Sequence, residues 1–142
     1  GGCMERTGQC LCGQIKLTTN DDNAELDVCH CEDCQLQSGS AYAPFLAVAL
    51  DNLSVDGDPK CHADGDTVSS RTVRRYFCSD CGSPAYVIVE RAPTTAYVFS
   101  GLLEQTSDLR PKVHGWTITK HAWVEITEGG LQYDMDPGLS PR

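Results

Sequence analysis

Tyr76-Phe77-Cys78-Ser79-Asp80-Cys81-Gly82-Ser83-Pro84 reads as a strand that ends in a metal knuckle. Cys-x-x-Cys brings two sulfurs within reach of one ion, and a glycine directly after the second lets the backbone curl toward them. Two sulfurs leave a tetrahedral zinc half coordinated, so the pair needs partners elsewhere in the chain. Working backward, Cys10-Leu11-Cys12 supplies two cysteines and Cys29-His30-Cys31-Glu32-Asp33-Cys34 supplies three. Joining Cys78 and Cys81 to Cys10 and Cys12 closes a four-sulfur site that ties the first strand to the central ones. A set that mixes middle and late cysteines is the alternative. The middle cluster, Cys29, Cys31 and Cys34, then offers three ligands and an open fourth position, the arrangement that catalytic zinc uses. Two other readings of that cluster stay open: a second structural zinc closed by His30, another histidine or Asp33, and a metal-free redox dithiol of Cys31 and Cys34. Of the nine cysteines, Cys3 and Cys61 fit no cluster and read as free thiols.

Outward from the knuckles, the pattern is period-two alternation of apolar and polar residues, as in Gln14-Ile15-Lys16-Leu17-Thr18. Similar runs cover 42–48, 72–77, 85–89, 96–100, 113–119 and 122–126, rich in the β-branched and aromatic side chains that suit a pleated surface. Turn residues separate them at Asp56-Gly57-Asp58-Pro59, Arg91-Ala92-Pro93 and Glu128-Gly129-Gly130. The segment 51–66 is polar and Gly/Asp-rich, and reads as a mobile hairpin or loop. A single short helix is expected at Glu32–Ser38, closed by Gly39 and beginning inside the middle cluster, which puts Cys31 and Cys34 one turn apart on one face. On an uninterrupted late strand His114 and His121, seven residues apart, face opposite ways, while His62 lies exposed in the polar loop.

Composition narrows the function. The chain has 142 residues, 22% charged and 40% hydrophobic, as expected for one globular domain over 6–135. Residues 1–5 read as a tag scar or disordered start and 136–142 as a loose tail. The formal net charge of −9 argues against nucleic-acid and anionic-membrane partners. No apolar run approaches the roughly 20 residues needed to span a bilayer, and no secretory leader is visible, so a reducing, cytoplasmic setting is expected for the thiols. Arg71-Thr72-Val73-Arg74-Arg75 is the one basic concentration.

Gly8-Gln9-Cys10-Leu11-Cys12-Gly13, Val28-Cys29-His30-Cys31-Glu32-Asp33-Cys34 with Ser38-Gly39-Ser40-Ala41, the late knuckle, Val113-His114-Gly115-Trp116 and Thr119-Lys120-His121-Ala122-Trp123 together resemble the glutathione-dependent formaldehyde-activating enzyme family. The resemblance runs from about Arg6 to Tyr133. It implies a mainly β, zinc-bound β-tent fold of short antiparallel sheets with one short helix. It implies two Zn2+ ions: a structural one on Cys10, Cys12, Cys78 and Cys81, and a catalytic one on Cys29, Cys31 and Cys34. It further implies a carbon–sulfur lyase or synthase that joins glutathione, or another thiol, to formaldehyde or a related aldehyde. His30, His114 and Tyr42 are the candidates for moving the accompanying proton. An anionic thiol such as glutathione needs local positive charge, which Arg71, Arg74, Arg75 or Lys120 would supply. The competing expectation is a zinc-binding scaffold or chaperone-like module in which both ions are structural.

Overall fold

A computed structural model describes residues 5–69 and 71–136; Cys3, the rest of the expected start up to residue 4 and the tail beyond 136 lie outside the described residues. The chain is mainly β. Strands β1 (Arg6–Gln9), β2 (Lys16–Thr19) and β5 (Leu53–Asp56) form a small antiparallel sheet in the order β1-β2-β5. The larger sheet is built from β3 (Glu25–Cys29), β4 (Ala43–Ala49), β6 (Lys60–Asp64), β7 (Val73–Phe77), β8 (Pro84–Val89), β9 (Thr95–Phe99), β10 (Val113–Gly115) and β11 (Leu131–Gln132). Its order is β11-β10-β3-β4-β9-β8-β7-β6.

Alternation gives this sheet two different faces. Leu46 and Val48 of β4 and Ala96 and Val98 of β9 join Ile15 and Leu17 around β2 in one core, which also holds Cys10 and Cys78. Their in-between neighbours Ala43, Phe45 and Phe99 join Cys31, Cys34, Val73, Val87 and Trp116 in a second core. Each fully buried Leu or Val side chain contributes about 1.5–3 kcal/mol by leaving water. The sheet therefore separates the two cysteine clusters that the sequence groups.

The helix α1 (Glu32–Ser38) stands where expected. The Cys31 sulfur accepts the Cys34 N–H at its start, and Gly39, in the left-handed conformation, closes it. Four expectations need correction. The segment 51–66 is no simple hairpin or loop: β5 completes the small sheet and β6 edges the large one, so the turn at residue 57 passes the chain between sheets. The run 113–119 breaks at Trp116, whose φ of 56° turns the backbone into a 3-10 turn at Thr117–Thr119. Residues 122–126 form no strand; the chain there is folded in turns, with the Val124 N–H on the His121 carbonyl. And the sheets are not wholly antiparallel, because β10 pairs in parallel with both β3 and β11. The long connection after β9 lets the chain cross over and return in the same direction as β3, which a tight hairpin forbids.

The turn between sheets constrains its glycine. Gly57 has φ of 96°, and a Cβ there would sit 2.2 Å from the Gln14 carbonyl oxygen. Gly57→Ala is expected to destabilise the fold by about 1–3 kcal/mol, through strain and the clash together. Urea titration of both proteins checks this, and unchanged midpoints would contradict it.

Candidate metal centre and cavity

Two knuckles build the first site. Cys10 accepts the Gly13 N–H on its carbonyl and donates its own N–H to the Ile15 carbonyl; Cys78 does the same with Gly82 and Ser83. Gly82 takes φ of 78°, a conformation nearly reserved for glycine, so the loop can close around the sulfurs. Cys10 Sγ and Cys12 Sγ lie 3.7 Å apart, as do Cys12 Sγ and Cys78 Sγ. A tetrahedral zinc with bonds near 2.3 Å sets its sulfurs about 3.8 Å apart, so this donor set fits the ion. The separation is far beyond the roughly 2 Å of a disulfide, and all four thiols are free. The Ser83 hydroxyl chiefly holds Cys81 down to about 5. At Cys12 the Gln14 N–H favours the thiolate, but burial and the three neighbouring sulfurs outweigh it and push the thiol up to about 12.

The second cluster lies at the junction of β3 and α1. The sulfurs of Cys29, Cys31 and Cys34 all lie within 4.8 Å of one another. Hydrogen bonds from the Cys29 and Cys34 thiols hold Cys31 down to about 3. Cys29 is pushed well above its usual value, first by its hydrogen bond to Cys31. At Cys34 a bond with Cys29 acts downward, yet Cys31 and burial prevail and raise it. Three sulfurs this close, two of them buried and one half-buried, share protons until a cation takes their place, which is the chemistry of a thiolate metal site. Among the described residues, no histidine or carboxylate joins this trio as a fourth ligand group.

Beside the trio opens a cavity of about 300 Å³. Its apolar wall includes Phe45, Val73, Val87 and Trp116; its polar groups include Asp27, Arg71, Arg75, Arg91 and Asp136. Most of the charges are committed. Arg75 bonds Asp64 at 3.4 Å and the Gln37 side chain; Arg91 lies 4.0 Å from Asp136, which takes the Trp116 indole N–H at 2.7 Å. Asp33 accepts the Val68 N–H at 2.8 Å and so fastens Val68 to the helix start. Among the described residues no carboxylate pairs with Arg71, and Asp27 Oδ1 is buried without a hydrogen-bond partner. Burial, then the neighbouring Glu25, raises Asp27 to about 7.

The expected site residues divide accordingly. Cys29, Cys31 and Cys34 line the cavity, as do Arg71 and Arg75. Arg74 projects from the other face of β7 and is exposed, because it alternates with Val73 and Arg75. Lys120 donates to the Val124 carbonyl at 2.7 Å and does not line the cavity. His30 is fully buried behind the cysteines, its Nε2 3.0 Å from His114 Nδ1. Neither histidine nor Tyr42 lines the cavity. Burial, then the charge of His114, lowers His30 to about 4. Sequence reasoning missed Asp27, Arg91, Tyr97 and Trp116. Asp27 had a readable signal: Glu25, Asp27 and Cys29 alternate onto one face of β3.

The family model of the glutathione-dependent formaldehyde-activating enzyme matches residues 5–119. The chain belongs to that family. This family member is 31% identical over 129 residues to a provisionally named glutathione-dependent formaldehyde-activating enzyme of Halomonas elongata, covering 84% of this chain and 79% of the relative. It is 28% identical over 108 residues to an uncharacterized lyase of Schizosaccharomyces pombe, covering 73% and 75%. In fold it is similar to a Rhodobacter sphaeroides protein of known crystal structure, with a TM-score of 0.58 and 20% identity over 72% of this chain and 91% of that one. No helix among the described residues is long and apolar enough to cross a membrane.

Two outcomes follow. In protein supplied with zinc, Cys78→Ser is expected to abolish uptake by the four-cysteine donor set and to lower stability by several kcal/mol, the scale on which structural zinc binding is coupled to folding. Cys34→Ser should abolish uptake by the three-cysteine donor set and leave the other unaffected. Metal analysis with thermal melts checks both, and equal effects would contradict the division. Acid sensitivity is the second. Because His30 titrates near 4 when folded and near 6.5 ordinarily, the unfolded chain binds its proton first as pH falls. Stability is thus lost from pH 6.5 down to 4, by up to about 3 kcal/mol. His30→Asn should flatten this part of the denaturation profile relative to wild type.

Proposed function

We propose that the chain is a carbon–sulfur lyase or synthase that makes or cleaves a thiol–aldehyde adduct in the cavity beside Cys29, Cys31 and Cys34. The observation that carries this reading is a three-sulfur cluster that lines a half-open, mostly apolar cavity. A purely structural pair of clusters leaves that cavity without a role. In the forward direction the thiol sulfur bonds to the aldehyde carbon, the carbonyl π bond opens, and the thiol proton ends on the new hydroxyl. The reverse breaks the carbon–sulfur bond and returns the proton to sulfur.

Cys29, Cys31 and Cys34 would hold the ion, and zinc bound there would lower the pKa of a thiol in its fourth position. The chain's own residues supply the rest. Phe45, Val87 and Trp116 keep water from the reacting atoms, and a fixed binding pose replaces a bimolecular encounter. Arg71, with no ion-pair partner among the described residues, draws a ligand carboxylate toward the cavity mouth, so the recognised thiol is an anionic one of the glutathione type. Proton movement falls to cavity-lining groups such as Asp27, which shares a strand face with Cys29.

Cobalt-substituted protein tests this reading. Added glutathione or a related thiol should change the thiolate-to-metal absorption of the three-cysteine site and leave that of the four-cysteine site alone. Arg71→Ala should weaken this binding about tenfold, the scale of one lost charge-assisted hydrogen bond. A spectrum silent across a panel of thiols would favour the scaffold reading.

A further inference from the structure

Behind the three-cysteine cluster runs a chain of side chains, buried at His30 and His114 and reaching the surface at Glu128, for which the chemistry above has no use. His30 Nε2 lies 3.0 Å from His114 Nδ1, and His114 Nε2 is hydrogen-bonded to the Glu128 carboxylate. Burial works against the charge on Glu128, yet the His114 hydrogen bond outweighs it and holds its pKa below the usual range. With Glu128 taking the Nε2 proton of His114, a single proton remains between His114 Nδ1 and His30 Nε2, so the neutral chain has one defined direction. It ends at His30 Nδ1, which is buried with no partner. Leaving that nitrogen unsatisfied carries a desolvation cost that an apolar residue would avoid.

What the histidine holds gives that cost a purpose. Residue 30 is the peptide unit between two of the three sulfurs. Its N–H donates to the Gly115 carbonyl at 3.0 Å; its carbonyl accepts from Gln35 Nε2 at 3.0 Å and Thr119 Oγ1 at 2.9 Å. The His114–Glu128 arm tethers the side chain as well, running from buried His114 out to the surface. The four-cysteine site needs nothing of the kind, because each of its knuckles closes on local backbone hydrogen bonds. The middle motif leaves a strand and enters a helix without such a knuckle, so the separation of Cys29 and Cys31 depends on how residue 30 is gripped.

We infer that Glu128, acting through His114 and His30, is a positioning residue that sets the Cys29 and Cys31 sulfurs for metal binding. The inference rests on the reading of Cys29, Cys31 and Cys34 as a metal centre. Glu128 touches neither the cysteines nor the cavity, so its effect must pass along the relay.

Zinc release from the full chain into excess chelator, resolved into two phases, tests it; Cys34→Ser identifies the phase of the three-cysteine site. Glu128→Ala should speed that phase about 10–100-fold, the usual loss when an outer partner of a metal site is removed, and leave the other phase unchanged. Glu128→Gln, which keeps an acceptor for His114, should restore it to within a few-fold. Nitrogen NMR of the histidine side chains should show His30 and His114 each in one fixed tautomer in the wild type, and averaging in Glu128→Ala. The inference is overturned if Glu128→Ala releases zinc like wild type, or if both phases accelerate alike, which marks general loosening. If the wild type binds only one zinc, the metal reading of the three cysteines has failed by itself. The relay is then judged by the spectra alone, and averaged tautomers in the wild type overturn it.

Discussion

Four sulfurs from chain segments 66 residues apart meet at one point, and the rest of the structure is arranged around that meeting. Thiolates at 3.7 Å repel strongly in a buried setting. They are tolerable together only when protons or a cation share their charge. The two knuckles present the sulfurs without strain because their own backbone groups are satisfied locally. The junction they make pins the small sheet against one face of the large one, where Ile15, Leu17, Leu46 and Val98 complete the core.

The large sheet then acts as a partition. Residues that alternate along β4 and β9 send Leu46 and Val98 to the structural side and Phe45 and Phe99 to the cavity side. A one-residue slip in either strand would exchange the two sets, so register is held by both cores at once. The consequence is chemical. The four-sulfur site and the three-sulfur site belong to opposite faces, and the cysteines of the second line a cavity large enough for a small molecule.

Much of this was legible in the sequence. Cysteine spacing pointed to both clusters, Gly39 marked the helix end, and period-two alternation located most strands. The failures share one cause. Trp116 ends β10 in a left-handed turn that a bulky residue rarely adopts, and burial of its indole against Asp136 stabilises it. Local propensity cannot register such a tertiary contact. Residues 51–66 looked like a loop because β5 and β6 are largely exposed edge strands, polar in composition, and β5 is held by the distant β2 while β6 pairs with the next strand, β7. Arg74 and Arg75 are adjacent in sequence, yet alternation gives one to solvent and the other to the cavity.

The sequence by itself determined the ligand chemistry: which sulfurs occur at which spacing, and which strands alternate, since both are matters of local order. Only the tertiary structure decided that His30 turns away from the cavity to meet His114 and Glu128, that Asp27 and Arg91 enter the site, and that Lys120 does not. Those placements depend on a parallel β10 laid beside β3 by a long crossover. Nothing in a local window specifies which edge a distant strand will reach, because the choice is made by the burial of both sheet faces together.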